Sequence, residues 1–229
     1  MRKINLKGQL LNWKLGNYFR ELSIVIAGVF ITLAGTGFIS QASQEKQIKE
    51  TMRMIQLELK ENLKEITAAE TEYLDEISFF RLLSQKQDSL YTLNISYLKD
   101  NINAVFKTRN LEYSEDALEV LKNSALMQQI TDKQFVLKLL QAYKQCREIK
   151  RNNESYYKYK AGNIDRYLSR DIDKKEQEYK NTYEVWKDRL ENQDLRQIIL
   201  NMPNTFDENP FITPKQIIQE MIQLIDQKY

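Results

Sequence analysis

Between Phe38 and Met202 the chain contains no proline and a single glycine, Gly162, and this shortage of breakers constrains the fold more than any motif does. Inside a helix glycine costs about 1 kcal/mol and proline about 3 kcal/mol relative to alanine, whereas tight turns need both residues. Average usage would put roughly 27 of them in a chain of this length. This chain has nine, six Gly and three Pro, and all three prolines lie beyond residue 202. The pattern predicts an all-α protein built from long helices and excludes a turn-rich β fold.

One segment departs from the polar average, a mean hydropathy of −0.59. Leu22 to Ile39, LSIVIAGVFITLAGTGFI, carries no charge. As a helix it would be about 27 Å long, close to the hydrocarbon thickness of a bilayer, with every backbone amide satisfied internally. The run is longer than the apolar core of a secretory signal, which favours a retained anchor. Ser40-Gln41-Ala42 would be the cleavage site if the run were a signal peptide, and a buried core helix is the third reading. Arg2, Lys3, Lys7, Lys14 and Arg20 against Glu21 give residues 1–21 a net charge of +4, and the remainder carries −2. Positive flanks stay on the cytoplasmic side, so the expected topology is N-terminus inside and C-terminal domain exported.

Three segments follow: a basic amphipathic stretch at 1–21, a transmembrane helix at 22–40 and a helical exported domain at 41–229. In the first, Trp13, Lys14, Tyr18 and Arg20 are of the types that anchor a helix at the headgroup level. In the second, Gly28, Thr32, Gly35 and Thr36 put small residues on one face, where a neighbouring membrane helix can approach closely.

The helical period continues past the run. Ile48, Met52, Ile55, Leu59, Leu63, Ile66, Tyr73, Ile77 and Phe80 recur at spacings of three, four or seven. With no breaker between, the run and this stripe read as one stalk from Leu22 to Ser84. A second helix is predicted over Ser89–Phe106 and a third from Ser114, whose hydroxyl caps the amides ahead of Ala117. Thr131-Asp132-Lys133-Gln134 fits a capping box opening a long helix to Leu168. Further helices are expected over Ile172–Leu190, Asp194–Met202 and from Thr213-Pro214-Lys215-Gln216 onward, with a loop at Pro203–Pro210.

Chemistry is sparse. The chain has no histidine, which removes the commonest general base and metal ligand. One cysteine, Cys146, allows neither an intramolecular disulfide nor a cysteine-based zinc site, and its place beside Leu139, Tyr143 and Ile149 reads as core. Glu58, Glu61 and Glu65 form one acidic cluster; Asp165, Asp171, Asp173 and Glu176 form another. Interleaved Lys and Arg make both read as solvated helix faces, and Asp171-Ile172-Asp173 lacks the glycine and terminal glutamate of a calcium loop. Tyr156, Tyr157 and Tyr159 with Lys158 and Lys160 are the types that stack on single-stranded nucleic acid. The near-neutral domain and the core-facing spacing of two tyrosines argue against that use. No catalytic, cofactor-binding or metal-binding residue is assigned, and nucleic acid is not an expected partner.

Glu21, then Gly28, Ile31 and Leu33, preceded by Gly16-Asn17-Tyr18 and followed by Leu57, Leu59 and Asn62, resembles an uncharacterised family of short single-pass membrane proteins from Gram-negative bacteria. Ser124, Ile130, Phe135 and Tyr143 are similar to a later segment of that family. The family's Asn-Asn-Trp-Asn run is absent near Gly37-Phe38-Ile39-Ser40, and Ala125 stands where glycine is usual. The resemblance covers the N-terminal third and one later stretch. It implies an inner-membrane anchor with an all-helical exported domain and transfers no active site. The expected protein is non-enzymatic: the bilayer is one partner, and the helical domain binds a protein or copies of itself. An accessory subunit of a transport or energy-transducing complex, and a ligand sensor, are the alternatives.

Overall fold

A computed structural model describes residues 21, 23–26, 41–170, 181–206 and 209–229. Helices and turns make up these residues, with no strand among them, so the all-α expectation holds. In chain order the helices are α1 (Gln41–Gln85), α2 (Ile95–Asp100), α3 (Asp116–Asn123), α4 (Leu126–Gln129), α5 (Lys133–Arg170), α6 (Thr182–Glu191), α7 (Gln193–Asn201) and α8 (Ile212–Lys228). Single 3-10 turns occur at Leu90–Thr92, Ala104–Phe106 and Met202–Asn204.

Most of the apolar run, with Gly28, Thr32, Gly35 and Thr36, lies outside the described residues, as do Trp13, Lys14, Tyr18 and Arg20. Among the described residues no helix is long and apolar enough to cross a membrane. The stalk expectation needs correction. Ser23 donates a hydrogen bond to the Asp116 carboxylate at 3.1 Å, and Ile26 is buried. Asp116 adjoins Ala117, whose amide reaches Glu58 of α1. A straight helix from Leu22 to Ser84 would separate Ser23 from Glu58 by about 50 Å. Residues 23–26 and α1 are therefore not parts of one rod.

The chain forms two compact units. Of the described residues, the first takes those up to Asn62 with Tyr113–Tyr143 and Ile217–Tyr229; the second takes those within Leu63–Glu112 and Lys144–Gln216. In the first unit the stripe residues Met52, Ile55 and Leu59 are fully enclosed, as are Leu118 and Leu121 of α3 and Leu139 of α5. Each such side chain contributes about 1.5–3 kcal/mol by leaving water. The cap of α5 is Asp132 and not Thr131: its Oδ1 accepts from the Phe135 amide at 2.9 Å. Lys228, in the last turn of α8, donates to the other Asp132 oxygen at 2.5 Å, and Tyr229 meets Phe135 edge-on at 5.5 Å. These contacts fasten the chain's end to the start of α5.

In the second unit Ile66, Phe79, Phe80 and Leu83 continue the α1 face into a core closed by Trp186 and by Leu195, Ile198 and Ile199 of α7. Trp186 packs against Phe79 at 5.1 Å, and its indole donates to the Leu98 carbonyl at 3.1 Å. The expected helix over 89–106 is broken into two 3-10 turns and the six-residue α2. Asn94 accounts for the break, because its side chain accepts from the Ser96 and Tyr97 amides and so starts a new helix there. Asn181 and Asn192 likewise cap α6 and α7. Gly162 does not interrupt α5, and a Cβ there would meet only the Arg166 guanidinium at 3.9 Å. The last helix begins at Ile212, one residue before Thr213, with Pro214 in its first turn.

Candidate functional site

Two glutamates of α1 are buried on the apolar face: Glu58 in the first unit and Glu76 in the second. Eighteen residues make five helical turns, so the helix period puts both acids on the side of Ile55, Leu59, Tyr73 and Ile77. Charge in such a place is expensive unless hydrogen-bonded or paired. The two sites meet that requirement differently.

Glu58 is held by neutral donors. Its Oε2 accepts from the Ser114 hydroxyl at 2.7 Å and the Ala117 amide at 2.9 Å, and its Oε1 accepts from the Tyr143 hydroxyl at 2.5 Å. Asn62, one turn on, donates to the Ser114 carbonyl at 2.7 Å and accepts from the Ser114 amide at 2.9 Å. The Ser114 hydroxyl does cap the Asp116 amide, at 3.3 Å, but the Ala117 amide is capped from another helix by Glu58. Burial raises the Glu58 carboxyl above the usual carboxylate range. The three hydrogen bonds pull the other way, and the nearby Asp116 charge adds to the rise.

Glu76 has an ionic partner. Lys160, fully enclosed, donates to Glu76 Oε2 and to the Ala104 carbonyl at 2.7 Å, and the Tyr156 hydroxyl donates to Glu76 Oε1 at 2.8 Å. The ammonium also lies over the Phe80 ring at 5.5 Å and the Tyr157 ring at 5.7 Å. Burial raises Glu76 and lowers Lys160, while each charge pulls its partner back toward ionisation. Tyr156 is pushed far above its ordinary value by burial and by the Glu76 charge.

The structure separates the members of the first acidic cluster. Glu65 pairs with Arg109 at 2.7 Å alongside Glu72, away from Glu58, and Asp165 is exposed. Asp171, Asp173 and Glu176 lie outside the described residues. Among the described residues no group of three or more potential ligands could hold a metal ion. Cys146 is buried and in no disulfide, as read from its stripe. Of the aromatic-basic group, Tyr156, Tyr157 and Lys160 are in the core, whereas Lys158 and Tyr159 are exposed. A cavity of about 10 Å³ in the second unit lies among Tyr73, Asn153, Tyr156, Phe206 and Phe211 and has room for one water.

The charge pattern of the sequence reads Glu58 as part of a solvated face and assigns Lys160 no role. For Glu58 a signal was available: spacings of three and four from Ile55, Leu59 and Asn62 put it on the stripe. Chemically the two glutamates join α1 to its neighbours, and every polar atom described at either carboxyl is committed to that task. Compared with protein-family models, curated proteins and solved structures, the chain matches none.

Proposed function

We propose that this chain is a non-enzymatic, single-pass inner-membrane protein whose exported helical part associates with a protein partner or with copies of itself. One observation carries the reading: the 18 uncharged residues from Leu22 to Ile39, entered from a segment of net charge +4. Gly28, Thr32, Gly35 and Thr36 would form the packing face within the bilayer, and Trp13, Lys14, Tyr18 and Arg20 would hold the segment at the cytoplasmic headgroups. The commitment of Glu58, Glu76 and Lys160 to helix packing fits a protein that acts by binding and position.

The Ser23–Asp116 contact and a crossing exclude one another, because the ends of an 18-residue helix stand about 27 Å apart. The proposal takes the crossing as the arrangement in a bilayer. It is tested by labelling Ser23→Cys and Asp116→Cys, each in a Cys146→Ala background, with a membrane-impermeant maleimide. Labelling of Asp116→Cys on intact spheroplasts, and of Ser23→Cys only after permeabilisation, is the expected result. Equal labelling of both from one side, or release of the protein from vesicles by carbonate, refutes the anchor. Mass determination in mild detergent then separates self-assembly from co-purification with multi-span subunits.

A further inference from the structure

We propose that the docking of α3 onto α1 is proton-linked: the α3 N-terminus sits on a Glu58 carboxyl that holds a proton, and loss of that proton loosens α3. The inference is independent of the proposed function and rests on the groups around one carboxyl.

Glu58 is 1% exposed. Each described group that reaches it is neutral: the Tyr143 hydroxyl from α5, the Ser114 hydroxyl from the turn before α3, and the Ala117 amide from the first turn of α3. On α1 itself Asn62, also neutral, holds the Ser114 backbone. Among the described residues the charge that bears on Glu58 is Asp116, also negative, at the start of α3. An ionised Glu58 is thus, among these residues, a desolvated charge with dipoles and the negative Asp116 for company.

A proton can enter without undoing the dock. Oε2 holds the two donors from the α3 side, one of which, the Ala117 amide, can only donate. Oε1 faces a hydroxyl, which can accept as well as donate. A proton on Oε1, donated to the Tyr143 oxygen, therefore leaves both bonds to α3 in place and removes the buried charge. Release of α3 would instead hydrate the carboxyl and return its titration to the ordinary carboxylate range. The seated group thus holds its proton to higher pH than the released one. The stability contributed by that difference is full below the ordinary carboxylate value and is lost as pH rises through the seated value. The direction of the Glu58 titration agrees.

The test is amide exchange of 116–123 in the full chain in detergent micelles, corrected for the intrinsic pH dependence of exchange. In the wild type the opening equilibrium should fall, between about pH 8 and about pH 5, by up to about tenfold for each pH unit separating the seated and released titrations. Glu58→Gln should be flat over this range. Tyr143→Phe removes a charge-assisted bond to the ionised form and a weaker neutral one to the protonated form, so it should move the wild-type transition to higher pH. A Glu58→Gln protein that keeps the wild-type pH response overturns the proposal. So does a Tyr143→Phe transition that stays in place, and this arm decides alone where Glu58→Gln does not fold.

Discussion

Replacing Lys160 by methionine isolates a buried ion pair in the second unit. The wild-type ammonium is fully enclosed, donates to Glu76 and to the Ala104 carbonyl, and lies over two aromatic rings. Methionine fills similar volume but leaves the Glu76 carboxylate buried with the Tyr156 hydroxyl as its remaining described donor. Breaking one side of a buried pair costs about 3–5 kcal/mol. Glu76 can escape by taking up a proton, to which burial already inclines it, and this limits the loss to the lower part of that range. For units of this size such a loss lowers the melting temperature by about 10–20 °C. Trp186 fluorescence is a suitable reporter, since the indole packs on Phe79 in the same unit. Lys160→Met should recover stability as pH falls, because Glu76 then becomes neutral at smaller cost. Adding Glu76→Gln removes the charge, keeps an acceptor for Tyr156, and should restore at least half of the loss. A cost under about 1 kcal/mol, or a double variant no better than the single one, would refute the view that charge burial governs this site.

Three further outcomes follow from the same physics. Asn62→Ala removes both side-chain bonds to the Ser114 backbone and leaves a buried amide and carbonyl unpaired; urea denaturation should show about 2–4 kcal/mol lost. Asp132 titrates below its ordinary value because Lys228, and then the Phe135 amide, bond to the ionised form. Its contribution is therefore present above about pH 4 and is lost as acid protonates the folded group, so protection of the Phe135 amide should fall in acid, and Asp132→Asn should abolish that dependence. In the membrane, Gly28→Leu with Thr32→Leu should abolish association measured by detergent-phase mass or in-membrane crosslinking, and unchanged association would remove these residues from the packing face.

Much of the scaffold was readable in advance. The stripe from Ile48 to Phe80 is half-buried at Leu63 and buried at its other positions, because a 3.6-residue period fixes which side chains share a face before any partner is known. Cys146 and the long α5 helix could be read for the same reason. The segment 89–106 departs from a single helix: its apolar spacing fits one, but Asn94 satisfies the amides of Ser96 and Tyr97 and makes an internal start equally good. Thr131 gave way to Asp132, whose carboxylate both caps α5 and meets Lys228 from a distant part of the sequence.

The sequence by itself determined the helical class, the apolar run with its charge asymmetry, and the buried face of α1, since periodicity, breakers and hydropathy are local properties. Only the tertiary structure decided what the polar members of that face do. Glu58 finds Ser114, Ala117 and Tyr143, and Glu76 finds Lys160 and Tyr156, across separations of 56 residues or more. A charged residue at a core position is unfavourable in its local sequence and becomes stable only through partners that folding brings to it.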